Sequence, residues 1–150
     1  MAINTKGDVF EADLLKLIFQ NTAITTIGDA GGLLPSATAG SLFVSLHTAD
    51  PGETGTQTTS EISYTGYARV AVSRSGSTGW TITGSSISPT AAITFGQMTA
   101  GTGGTVTHAA IGAATSGTGK ILYMGTVTPN ITVNNGVTPS LTTASTVVED

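Results

Sequence analysis

Apolar positions along the chain follow two periods. Between residues 8 and 20, Phe10, Leu14, Leu17 and Ile18 recur at i, i+4, i+7 and i+8, with Glu11, Asp13, Lys16 and Gln20 largely elsewhere. That spacing predicts one amphipathic N-terminal helix. Leu15 and Phe19 widen its apolar face. Asp8 and Glu11, three positions apart, suit a capping-box-like start in which Asp8 accepts from an orphan amide and Glu11 reaches back. A helix this apolar beside a β domain either plugs the core or packs on a neighbouring subunit; the core plug is the expected choice, and neither is catalytic.

From about residue 42 the period shortens to two. Leu42, Val44 and Leu46 alternate with Phe43, Ser45 and His47, so His47 is expected to point away from the apolar side. In "YARVAVSR" Val70 and Val72 oppose Arg69, Ala71 and Ser73, and "GWTITG" pairs Trp80 with Ile82 after a Ser75-Gly76-Ser77 turn, which together predict a hairpin. Further strands are expected at "AAITFG", "GTVTHAAIGAA", "KILYMGTVT", "NITVNN" and "SLTTASTVVE", separated by Gly-, Thr- and Pro-rich turns. "KILYMGTV" is apolar on both faces, which fits a central strand or one face of a subunit contact. With no second helix to cross over parallel strands, the pattern predicts a mainly β single domain over residues 1–150. An antiparallel sandwich or barrel is expected, jelly-roll-like first among them.

Composition narrows the function. The 150 residues contain no cysteine, which excludes disulfides, thiolate nucleophiles and zinc-cysteine sites. Five basic residues against nine acidic ones disfavour nucleic acid and anionic membranes as partners. The first twenty residues lack a basic leader and their apolar run is broken by Asp13 and Lys16, so neither a secretory signal nor a membrane span is expected and synthesis in the cytoplasm is. A hydrophobic fraction of 39% beside only 9% charged residues leaves strand edges poorly protected, and predicts a homo-oligomer, dimer or trimer. Phe10, Leu14, Leu17 and Ile18, or Leu122 and Met124, are the expected contact residues.

The motifs resolve into bland chemistry. "TSGTGKIL" lacks the first glycine of a phosphate loop and carries Ile121 where the hydroxyl belongs, so a hairpin turn is expected there. No serine sits in a Gly-x-Ser-x-Gly elbow, which argues against a hydrolase. His108 shares strand parity with Val106 and Ala110, and reads as a structural histidine. His47, Asp50 and Glu53 lie within seven positions, but Asp50-Pro51-Gly52 is turn chemistry and too few further ligands follow for a metal. "NIT" at 130–132 has the form of a glycosylation acceptor, with Asn130 read as a turn residue. No catalytic residue, metal or cofactor is expected.

"LHTADPGE", Glu61 with "SYTGYARV", "ITFG", the segment from His108 to Gly125 and "NNGVTPS" together resemble, end to end, a family of small virion proteins of tailed bacteriophages. Members carry head decoration (cement) or tail-fibre-like labels. The resemblance implies a virion structural component and brings no catalytic residues. Without a repetitive shaft or coiled-coil trimeriser, the domain suits a cement protein on the capsid surface, bridging capsomers through the major capsid protein. The alternative is a tail or tail-fibre component. Specific contacts near about 1,600 Å² each, multiplied on a lattice, would supply the cementing effect.

Overall fold

Helix α1 spans Asp8–Gln20, the range that the apolar spacing predicts. The computed structural model describes residues 5–29 and 31–149. The capping box does not form. Gly7 is the N-cap, in extended conformation, and its carbonyl accepts from the Phe10 and Glu11 amides at 2.8 and 3.0 Å. Asp8 therefore lies inside the first turn, where its charge suits the helix dipole without making a side-chain cap. The fully buried stripe is Glu11, Leu15 and Phe19, one position round from the predicted face. At the other end Asn21 takes the left-handed conformation (φ 54°), and Arg74 donates to the carbonyls of Leu17 and Ile18 at 2.6 Å each. The last turn contains no basic residue of its own, so a side chain far along the chain satisfies its orphan carbonyls.

The strands among the described residues are β1 Ser41–His47, β2 Val70–Ser73, β3 Trp80–Thr83, β4 Ser86–Pro89, β5 Ile93–Thr94, β6 Gly104–Gly112, β7 Ile121–Val133, β8 Ser140–Leu141 and β9 Val147–Val148. They form sheets of order β2-β1-β6-β7, β3-β4-β9 and β5-β8, which are not closed into a barrel. The chain is mainly β with antiparallel pairing and one N-terminal helix.

Two compact units result, and the chain passes between them at 41/42, 72/73, 92/93 and 141/142. The first holds α1, β3, β4 and β9. Its core is Leu15, Phe19, Ile24, Trp80 and Ile87, with the Phe19 and Trp80 rings edge to face at 4.8 Å. The second, Leu42–Val72 with Ile93–Leu141, holds the four-stranded sheet and β5-β8. Its core includes Val44, Leu46, Ile62, Phe95, Val106 and Val133.

Several strand expectations are corrected. β1 buries Leu42, Val44 and Leu46 as its alternation predicts, but Ser45 and His47 are also fully buried, and the Thr59 carbonyl, from a segment twelve residues on, meets the His47 ring. The predicted hairpin from "YARVAVSR" to "GWTITG" does not form; β2 joins the sheet of β1, and β3 turns instead into β4 with Thr83 opposite Ser86. The reason is local. Gly84, at φ 61°, supplies the positive φ that a two-residue hairpin turn requires.

"KILYMGTVT" and "NITVNN" are one strand, β7, which takes in Asn130 as well. The break expected at Pro129 appears in the ladder: His108 faces Thr126 and Val106 faces Ile131, so Val127–Asn130 bulge opposite Thr107 alone. A second irregularity leaves Leu122 as an extra residue between Ile121 and Tyr123. β7 is the edge of its sheet and not a central strand. "SLTTASTVVE" forms two short strands, β8 and β9, in separate sheets.

Candidate functional site

The densest polar cluster lies in the second unit, around a side chain that the sequence pattern assigned to a strand face. Arg69 grips Glu61 through two parallel bonds of 2.7 Å, Nε to Oε1 and Nη2 to Oε2. Tyr67 donates to the same Oε1 at 2.9 Å and accepts from the Leu46 amide at 3.0 Å. Arg69 also donates to the carbonyls of Ala114 and Gly117, at 2.9 and 2.8 Å. The side chains are only 3% and 15% exposed, so this is a buried, bidentate ion pair. Its hydrogen bond to Glu61 raises the Arg69 pKa further, and burial pushes the Tyr67 phenol up, which keeps both as donors.

Gln57 holds the same loop from another side. Its Nε2 donates to the Phe43 carbonyl at 3.0 Å, its Oε1 accepts from the Ala114 amide at 3.0 Å, and its own amide donates to the Gly119 carbonyl at 2.9 Å. A Cβ at Gly112 or Gly119 would collide with this carboxamide, so glycine at both positions makes room for it as bonded. The "TSGTGK" segment is thus the β6–β7 hairpin loop, tied at its base by Arg69 and Gln57.

His47, Asp50 and Glu53 are not brought together. The His47 ring is fully buried, with Nδ1 2.8 Å from the Thr59 carbonyl and Nε2 2.9 Å from Ser45 Oγ. A carbonyl only accepts, so Nδ1 carries the proton and Nε2 is left to accept from Ser45. Asp50 accepts from the Gly52 amide at 2.9 Å, an Asx turn. Ser45 and His47 have the separation of a nucleophile and its base, but both are fully buried and no substrate can reach Oγ. His108, the cross-strand neighbour of His47, bonds Thr107 through Nδ1 at 2.9 Å.

Burial lowers the His47 pKa; Arg69 and His108 lower it too, while the Thr59 bond and Glu61 oppose. The folded state thus resists a proton that the unfolded chain accepts at about pH 6.5. Stability is expected to be complete above that pH and to decline as pH falls below it. Urea midpoints from pH 7.5 to 5 check this. His47→Gln should flatten the slope, and an unchanged slope would remove His47 as its cause.

The predicted contact residues sit on two separate elements. On α1, Leu14, Leu17 and Ile18 are half-buried and Phe10 is exposed. On β7, Leu122 is exposed at its irregularity, while Met124, opposite Ala110, is half-buried. Sequence reasoning missed the larger apolar surface of the first unit: Val9, Ile27, Leu33, Leu34 and Val148 are also exposed. Val9, Phe10, Ile24 and Ile27 line an open groove of about 410 Å³ beside Asp8 and Asp13. The segment from Gly28 to Gly40 is glycine-rich and without period, and the isolated Ile24–Leu33 bridge within this region has no periodic signal either.

Antiparallel sheets, polar side chains committed to loop backbone and apolar groups left at the surface accord with the class that family comparison gives, a structural protein of the bacteriophage virion. More particularly, residues 6–149 match the family described as Podophage GP4 fiber I protein gp80, and the chain belongs to that family. No curated protein matches it. Of the two labels that the resemblance carried, this description bears the fibre and not head decoration. Among the described residues no helix is long and apolar enough to cross a membrane.

Proposed function

We propose that the chain is a non-enzymatic structural component of a phage tail fibre, held in the virion by protein contacts. The observation that carries this reading is the match of residues 6–149 to a fibre family. The polar chemistry is consistent with it: Glu61, Arg69 and Gln57 hold a loop, and the Ser45–His47 pair is sealed from solvent. No metal or cofactor enters this reading, and Asp50 already serves its own turn. The partners are other fibre or tail proteins and further copies of the chain, as dimer or trimer. The major capsid protein becomes the partner only if the chain decorates the head.

Gold-labelled antibody on intact virions tests the location. Label is expected on the tail and its fibres. Label on the capsid faces, with bare fibres, would overturn the fibre reading in favour of head decoration.

A further inference from the structure

The exposed apolar surface is unevenly shared. Val9, Phe10, Ile27, Leu33, Leu34 and Val148 all lie in the first unit, and Leu122 alone in the second. Val9 is 77% exposed and Leu34 73%, far more than a core-facing residue retains. Of these, Val9, Phe10 and Ile27 come together with Ile24 around one groove, and exposed apolar surface so gathered marks a contact with another molecule. The groove between the start of α1 and Ile24–Ile27 lies within this surface and, at about 410 Å³, falls in the size range of binding pockets.

The charge at its rim defines what it takes. The charged side chains that line it are Asp8 and Asp13, with no lysine or arginine among the lining residues. The neighbouring basic residues are engaged, Lys6 with Glu149 at 3.1 Å and Lys16 with Asp13 at 3.2 Å. Asp13 is thus charge-paired, and Asp8 is the rim acid without an ion pair among the described residues, above an apolar floor. In addition Thr26, in the groove wall, holds a left-handed backbone at φ 64°. It belongs to the turn that follows Ile24 and sets the height of this wall.

A second copy is a poor occupant, because a two-fold contact sets the same patch against itself and brings Asp8 towards its counterpart with no cation between them. We propose that the groove receives an apolar segment carrying lysine or arginine, contributed by a different protein of the virion. The apolar side chains fill the space between Val9, Phe10, Ile24 and Ile27, and the cationic group meets Asp8 at the rim. The proposal takes from the fibre reading only that the chain is a virion component; the gold-label experiment tests location separately.

A photo-crosslinking amino acid placed at position 9 in the full chain, incorporated into virions, tests it. Position 9 is solvent-exposed, so the replacement leaves the core intact. After irradiation, mass spectrometry is expected to find an adduct on an apolar segment with a lysine or arginine from another virion protein. Asp8→Lys should lower the yield about fivefold, as befits one exposed charge contact, and Asp8→Asn less. Ile27→Asp should lower it about tenfold or more, with the circular dichroism spectrum unchanged. An adduct on a second copy of the chain, an adduct on an acidic or uncharged segment, or no adduct in intact virions would each overturn the proposal.

Discussion

Glu61→Ala is expected to destabilise the protein by about 3 to 5 kcal/mol, because it leaves the Arg69 guanidinium buried without its counter-charge. The geometry excludes the small effect usual for ion pairs on the surface: Arg69 is 3% exposed and meets Glu61 through two bonds of 2.7 Å. The same substitution removes the acceptor of the Tyr67 hydroxyl, which itself holds the Leu46 amide. Urea unfolding followed by far-ultraviolet circular dichroism measures the loss. A double variant, Glu61→Leu with Arg69→Met, should be less destabilised than Glu61→Ala, since no uncompensated charge remains. It should still fall short of the parent, because the Ala114 and Gly117 carbonyls lose their donor. A loss below about 1 kcal/mol for Glu61→Ala would mean that the pair behaves as a solvated one.

Trp80→Ala is expected to cost about 3 to 5 kcal/mol, the range for deleting a large aromatic side chain from a packed core. Trp80 is 1% exposed and stacks edge to face on Phe19, which fixes α1 on β3. Trp80→Phe separates packing from polarity. The indole Nε1 is buried with no hydrogen-bond partner, a state that costs about 1 to 3 kcal/mol, so its removal offsets part of the lost volume. The phenylalanine variant is therefore expected to lie much closer to the parent than the alanine variant does. Equal losses would show that Nε1 finds a partner in solution. Trp80 is the sole tryptophan of the chain, so its fluorescence in the parent also reports the melting of the unit around α1.

The elements that could be read from the sequence were those whose signal is local and periodic. The α1 span follows from spacing alone, and the inward set of β1 follows from alternation. The helix face was misjudged by one position because Glu11 is buried, and a carboxylate contributes nothing to an apolar pattern. The burial of Ser45 and His47 depends on tertiary packing, with the Thr59 carbonyl on the His47 ring, and no alternation announces it. Arg69 was placed on a strand face, whereas it lies just before β2 and pairs with a glutamate eight residues earlier, across a stretch without period. Arg74 caps a helix whose end lies more than fifty residues away. Such long-range pairings leave no trace in a single sequence; the glycines at 112 and 119, which make room for Gln57, were the only local clue to the loop clamp.

The irregular edge of β7 has a consequence for the protein in crowded conditions. A long, regular outer strand offers backbone donors and acceptors to any extended chain that drifts past, and identical neighbours are the most frequent visitors. β7 interrupts that invitation with the bulge at Val127–Asn130, with the extra residue Leu122, and with Pro129, which has no amide proton to give. Thr56 also bridges Lys120, just before the strand begins. What remains between the interruptions is too short to seed a growing sheet. Copies are thus expected to accumulate without pairing along this edge, and the choice of neighbour then passes from the backbone, which any strand can match, to the side chains, which only a particular surface can.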